Sequence, residues 1–292
     1  MLYDVGLTIS YEYDGPASSG RHVLRLRPLE LGAEQRVIAS RLMVEPEPTE
    51  SVEATDFFGT ATRTVAFDRP HEHALFQLKA RVRREPRGAL LDMSPDAAGL
   101  AREIALHRSL SPDAPHHFAG ASPRVVVDTV MTDWARRTAR EARTVYEAVQ
   151  AVGRALMAEM KFDPDATQVD TPAREAFDAR HGVCQDFTHI MIACLRGIGI
   201  PAGYVSGFIR TIPPPGKERL EGADAMHAWV RAWCGIEMGW VEYDPTNAML
   251  AGADHIVVAY GRDYADVAPV RGVTRSAGGQ STTHAVDVIP LD

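Results

Sequence analysis

A chain of 292 residues with 45% apolar and 24% charged side chains can bury ordinary hydrophobic cores and is long enough for two domains. Its formal charge of −8, from 31 basic and 39 acidic residues, argues against nucleic acid or an anionic membrane as the main partner, since both require a basic face. Three cysteines are an odd count that implies no disulfide framework, no stretch reaches the roughly 18 apolar residues of a membrane span, and the start MLYDVGLTISYEYDG lacks the segments of a secretion signal; a soluble cytoplasmic protein is expected.

Residues 1–85 read as strands. Leu2, Val5, Leu7, Ile9 and Tyr11 begin a period-2 pattern, and the turn signal Asp14-Gly15-Pro16 is expected to close it. His22 to Arg27 alternates again before Pro28, and further runs at 36–44, 63–67 and 73–83 are separated by Pro, Gly and Glu clusters. Short strands at this spacing predict an antiparallel β-sandwich. Residues 86–124, rich in Pro, Ser, Gly and His, read as a linker with a short helix that opens at Ser94-Pro95-Asp96.

From Asp128 to Met160 the pattern is helical, with Val145, Val149, Val152 and Leu156 recurring every three or four residues. The basic run Arg136, Arg137, Arg140 and Arg143 is read as a solvated helix face. A second helix starts near Cys184, and strands follow near 202–210, 226–234, 239–243 and 255–260. The expected fold class is α+β: an N-terminal antiparallel β-sandwich domain over 1–85, the linker over 86–124, and an α+β core over 125–292.

Two cysteines occupy the segment GVCQDFTHIMIACLRGIGIP in different settings. Cys194 lies in an apolar stripe with Phe187, Ile190, Met191, Leu195 and Ile198 and is read as core. Cys184 falls in the first helical turn, where unpaired backbone N–H groups and the helix dipole favour a thiolate. Position alone leaves open whether it is a nucleophile or a small packing residue. A thiolate also needs a base and a group to orient it. His227 of AMHAWVRAW and Asp244 of GWVEYDPTN follow on strands or strand ends, where each singly reads as structural. The pairs His116-His117 and His71-x-His73 lack further partners at metal-ligand spacing, and His189 does not share the helical face of Cys184.

The segments GVCQDFTHIMIACLRGIGIPAGYVSGFIRT, MHAWV and GWVEYDPTN together resemble the core of the bacterial transglutaminase-like superfamily, and HIVVAYGRDYADVAPVRGV at 255–273 resembles the C-terminal signature of one bacterial subgroup. Members of that subgroup carry an N-terminal β domain, to which residues 1–85 are similar. The resemblance implies a papain-like, transglutaminase-like α+β core with Cys184 as nucleophile, His227 as base and Asp244 orienting the imidazole. No metal and no cofactor are expected, since no residues stand at recognisable ligand spacing. In MKFDPDAT, Phe162 stands where the family pattern leads one to expect a tyrosine, and a phenyl ring cannot donate to an oxyanion. Trp229, on the same strand face as His227, is a candidate shield for the ion pair, with a plain core tryptophan as its alternative.

The expected function is cysteine-dependent acyl transfer at an amide or peptide carbonyl through a thioester, with hydrolysis of a protein or peptide substrate preferred over glutamine crosslinking. A catalytically idle peptide- or partner-binding module is the reading from another class, and the N-terminal β domain is a candidate docking surface for a partner protein.

Overall fold

Burial alternates residue by residue at the start of β1 (Leu2–Ala17), with Tyr3, Val5, Leu7 and Ile9 facing inward, as period-2 spacing requires of a half-buried strand. The computed structural model describes residues 1–85, 88, 91–211 and 224–291. After β1 come β2 (Ser19–Leu24), β3 (Gln35–Glu45), β4 (Glu50–Thr55), β5 (Ala61–Phe67) and β6 (His71–Arg84). Asp14-Gly15-Pro16 does not end β1: pairing with β6 is interrupted between Glu12 and Ala17 and then resumes. Pro16 sits inside that irregular stretch, where its missing N–H breaks no regular ladder bond.

The helix opening at Ser94-Pro95-Asp96 is α1 (Ala97–Leu106), and Asp96 caps it by accepting from Gly99 N. The helical stretch expected over 128–160 is two helices, α2 (Thr129–Thr138) and α3 (Val145–Glu159). Asp128 caps the first and Thr144 the second, so an N-cap residue ends what the periodicity presented as one element. Then follow β7 (Lys161–Phe162), α4 (Ala173–Ala179), β8 (His181–Gly182), α5 (Cys184–Gly197), β9 (Ala202–Ile209), β10 (Ala225–Trp233), β11 (Trp240–Asp244), β12 (Met249–Leu250), β13 (His255–Gly261), α6 (Tyr264–Val267), β14 (Val270–Arg275) and β15 (Gln280–Pro290).

Three larger sheets result. One has the order β15-β1-β6-β3, a second β14-β2-β5-β4, and the third, five-stranded, β12-β11-β10-β9-β13. The first two face one another: His22 on β2 meets the Phe76 ring on β6 at 5.8 Å, and Leu7, Leu78, Val65 and Phe67 are buried in the shared core. β14 pairs with β2 and β15 with β1. The sequence division that assigned 125–292 to the core therefore fails at its far end, because 270–290 completes the sheets built by residues 1–85. The N-terminal sheets are also tied to the five-stranded sheet. Gln35, wholly buried, donates to the carbonyls of Leu29 and Val257 and accepts from Val257 N.

α5 is the axis of the remaining structure. It packs on β10 and β9 on one side and on α2, α3 and α4 on the others. The apolar stripe read from the sequence is thus only part of its contact surface, since Gln185 through Arg196 are all buried. Arg196 is satisfied in place: it donates to the carbonyls of Ala202, Gly120 and Arg262 and to Ser122 Oγ. Among the described residues no helix is long and apolar enough to cross a membrane.

Candidate active site

Cys184 is the first residue of α5 and is partly exposed. The chain turns into the helix at Val183, whose N–H is accepted by Asp186 Oδ2 at 2.8 Å. Thr167 also donates to that oxygen, and burial raises the Asp186 carboxyl above its ordinary range despite both donors. Cys194 and Cys234 are buried, and burial pushes both thiols up, Cys234 to about 12. Of the three thiols only Cys184 is placed to react, since a thiolate is disfavoured in apolar surroundings.

His227 on β10 and Asp244 at the end of β11 lie on adjacent antiparallel strands. His227 Nε2 sits 2.7 Å from Asp244 Oδ2, with both side chains buried. That commits Nε2 and leaves Nδ1 for a second partner. Cys184 also favours the charged ring, through its side chain and its charge. Burial alone would disfavour the imidazolium, but Asp244 and Cys184 outweigh it and raise His227 to about 10. Burial likewise works against the Asp244 anion, yet its donors hold the carboxyl well below the usual range. The structure thus brings together all three residues that the sequence singled out.

Trp229 is fully buried beside this group. Its ring lies 6.1 Å from that of His227, tilted by 31°, and its Nε1 donates to Glu242 Oε2 at 2.8 Å. Gly207 on β9, opposite His227, makes room for it: a methyl group there would overlap the Trp229 ring and the Ile256 carbonyl. Phe162 is half exposed on β7. His189 is buried, accepts from Tyr264 N, and is driven down to about 4 by burial, so it is a neutral structural histidine.

Residues 132–245 match the model of the transglutaminase-like superfamily, and residues 3–83 match that of the bacterial transglutaminase-like N-terminal region. The uncharacterized protein Rv2569c of Mycobacterium tuberculosis is 32% identical over 308 residues, an alignment spanning 99% of this chain and 93% of that one. The chain belongs to the transglutaminase-like superfamily. The uncharacterized protein ML0607 of Mycobacterium leprae is 28% identical over 284 residues, covering 96% of each. The crystal structure of a putative cysteine protease from Cytophaga hutchinsonii superposes with a TM-score of 0.78 at 21% identity, over 100% of this chain and 91% of that one. The α+β fold is therefore shared by a solved structure along the whole length of the chain.

In this transglutaminase-like protein the site contains residues that sequence reasoning did not single out. Asn247 donates from Nδ2 to Asp244 Oδ2 at 2.7 Å, and the backbone N–H groups of Thr246 and Asn247 donate to Oδ1. Asn247 was visible in YDPTN as a turn residue following an Asp, which is the local signal for such backbone contacts. His255, the first residue of β13, approaches the same Oδ2 at 3.1 Å. His227, Asp244 and His255 bring three atoms of metal-ligand type within 4.8 Å of one another, and the hydrogen bonds among them account for that grouping.

Proposed function

We propose that this chain is a cysteine-dependent acyl-transfer enzyme that opens an amide or peptide bond of a protein or peptide substrate and passes the acyl group to water. The observation carrying this reading is the buried His227 ring, held on Asp244 at 2.7 Å and acted on by Cys184 as well. Nucleophile–base contacts in free enzymes are often long and tighten when substrate binds.

His227 takes the proton from Cys184 Sγ, and Asp244 orients and stabilises the resulting imidazolium. The thiolate attacks the carbonyl carbon and the carbonyl electron pair moves to oxygen. Collapse of this intermediate expels the amine or ammonia, which receives its proton from His227, and leaves a thioester on Cys184. Water then gives its proton to His227 and attacks the thioester, releasing the carboxylic acid and restoring the thiol. The N–H groups of Cys184 and Gln185, the first two residues of α5, precede any intrahelical acceptor and are the natural donors to the oxyanion. Phe162 supplies none. Trp229 covers one side of His227 and limits water at the ion pair. Partial exposure of Cys184 favours water as acceptor, and three free thiols suit a reducing compartment.

The test is incubation with glutamine-containing proteins and peptide libraries, with and without a primary amine, reading new amino termini, released ammonia and incorporated amine. Hydrolysis without amine that falls by at least about 10⁴-fold in Cys184→Ala is the expected result. Amine incorporation without hydrolysis would replace water by a crosslinking acceptor. Turnover that survives loss of Cys184 would sink the nucleophile assignment.

A further inference from the structure

His255 opens the C-terminal signature segment, to which the functional reading gives no task. It is 1% exposed. Its Nδ1 lies 3.2 Å from Gly252 N, a group that can only donate, so Nδ1 is the acceptor in that contact. A neutral imidazole that accepts at Nδ1 carries its proton on Nε2. That proton points at Asp244 Oδ2, 3.1 Å away. The ring is fixed by backbone and by packing: His255 N donates to Gly252 O, and the Trp229 ring meets His255 edge to face at 5.1 Å.

Asp244 is fully buried and has to stay ionised and aimed at His227. A buried carboxylate that loses one of its donors takes up a proton more readily. We infer that His255 is a positioning residue of this site, donating Nε2–H to Asp244 Oδ2 so that the carboxylate remains an anion directed at His227 Nε2. The inference rests on the reading of Cys184, His227 and Asp244 proposed above. The titratable groups around Asp244 are His227 on β10, with Cys184 beyond it, His255 on β13, and Tyr243 and Glu242 on β11 itself. Glu242 is occupied by Trp229 and by the Tyr260 hydroxyl at 2.9 Å.

Two substitutions separate positioning from packing. Asn at 255 keeps an acceptor for Gly252 N but is too short to reach Asp244, whereas Gln keeps a donor near the Nε2 position. Full-length wild type, His227→Ala, His255→Asn and His255→Gln are labelled with limiting iodoacetamide from about pH 4.5 to 8, and alkylated Cys184 is quantified by mass spectrometry. With the donor gone, Asp244 takes its proton at higher pH and the imidazolium loses its partner. His255→Asn should then lose labelling rate near pH 4.5, the acid end of the series, where Asp244 begins to take up its proton, with little change near pH 7.5. His255→Gln should stay close to wild type at both. An equal loss at every pH, no loss, or equal impairment of Asn and Gln would overturn the inference.

A measurement on the unaltered protein stands beside these variants. The ¹⁵N spectrum of histidine-labelled wild type should show His255 as the Nε2–H tautomer, and an Nδ1–H tautomer refutes the donor role even if neither variant folds. Absence of fast, His227-dependent labelling in wild type would instead defeat the functional reading, while the tautomer still decides His255.

Discussion

Asp244 accepts two backbone N–H groups on Oδ1 and three side-chain donors on Oδ2, which is how a wholly buried anion is maintained beside His227. His227 in turn binds its proton more tightly in the folded chain than in the unfolded one. The stability contributed by that proton is therefore fully present below the unfolded value of 6.5 and is lost as the pH rises through about 10. We expect the difference in unfolding midpoint between wild type and His227→Gln to shrink steadily from about pH 7 to 10, measured by urea denaturation. A difference constant across that range would mean that His227 is not held as imidazolium. Asp244→Asn should lower turnover by about 10³–10⁴-fold, because the amide no longer orients a protonated imidazole; retention of full activity would remove Asp244 from the mechanism.

At the scale of elements, the site depends on how closely α3 approaches β11. A methyl group on Gly153 of α3 would overlap the Tyr243 ring, and Tyr243 immediately precedes Asp244. Gly153→Ala should cost about 1–3 kcal/mol by overpacking and also slow Cys184 alkylation through displacement of the end of β11. Unchanged stability and unchanged labelling would mean that the Tyr243 ring moves aside freely. The sequence was informative here wherever an element has one dry face. β1 and β6 were legible because their residues alternate, and α3 because Val145, Val149, Val152 and Leu156 share a side. β4 was not, since all six of its residues are exposed and its place is set by pairing with β5 rather than by a buried face. α5 was legible as a helix but not as a helix buried on all sides, because Asp186, His189 and Arg196 look like a solvent face until their partners are known.

Over the whole molecule, the strands that close both N-terminal sheets come from residues 270–290. Tyr3 on β1 donates to Asp254 at 2.7 Å, just before β13, and Gln35 anchors β3 on Val257 of the same strand. The β sandwich is accordingly built into the transglutaminase-like fold, and a protein lacking residues 1–85 would leave β14 and β15 without the strands β2 and β1 that they pair with. We expect such a truncation to unfold without a cooperative transition, monitored by circular dichroism, and a sharp transition with retained Cys184 reactivity would show that the core folds alone. Gln35→Leu should cost about 1–3 kcal/mol, since it leaves buried backbone groups of Leu29 and Val257 unpaired.

What the sequence by itself determined is local: the periods of its strands and helices, and the placement of Cys184 at a helix start and Cys194 in a helix interior. Such features follow from spacing along a few turns or a few strand residues, where backbone geometry leaves a small menu. Only the tertiary structure decided that 270–290 returns to the first sheets, that the polar residues of α5 are buried with partners, and that His255 shares an oxygen of Asp244 with His227. Those outcomes depend on which groups meet after the chain has closed long loops. A lone histidine in an apolar strand carries no mark of its partner until then.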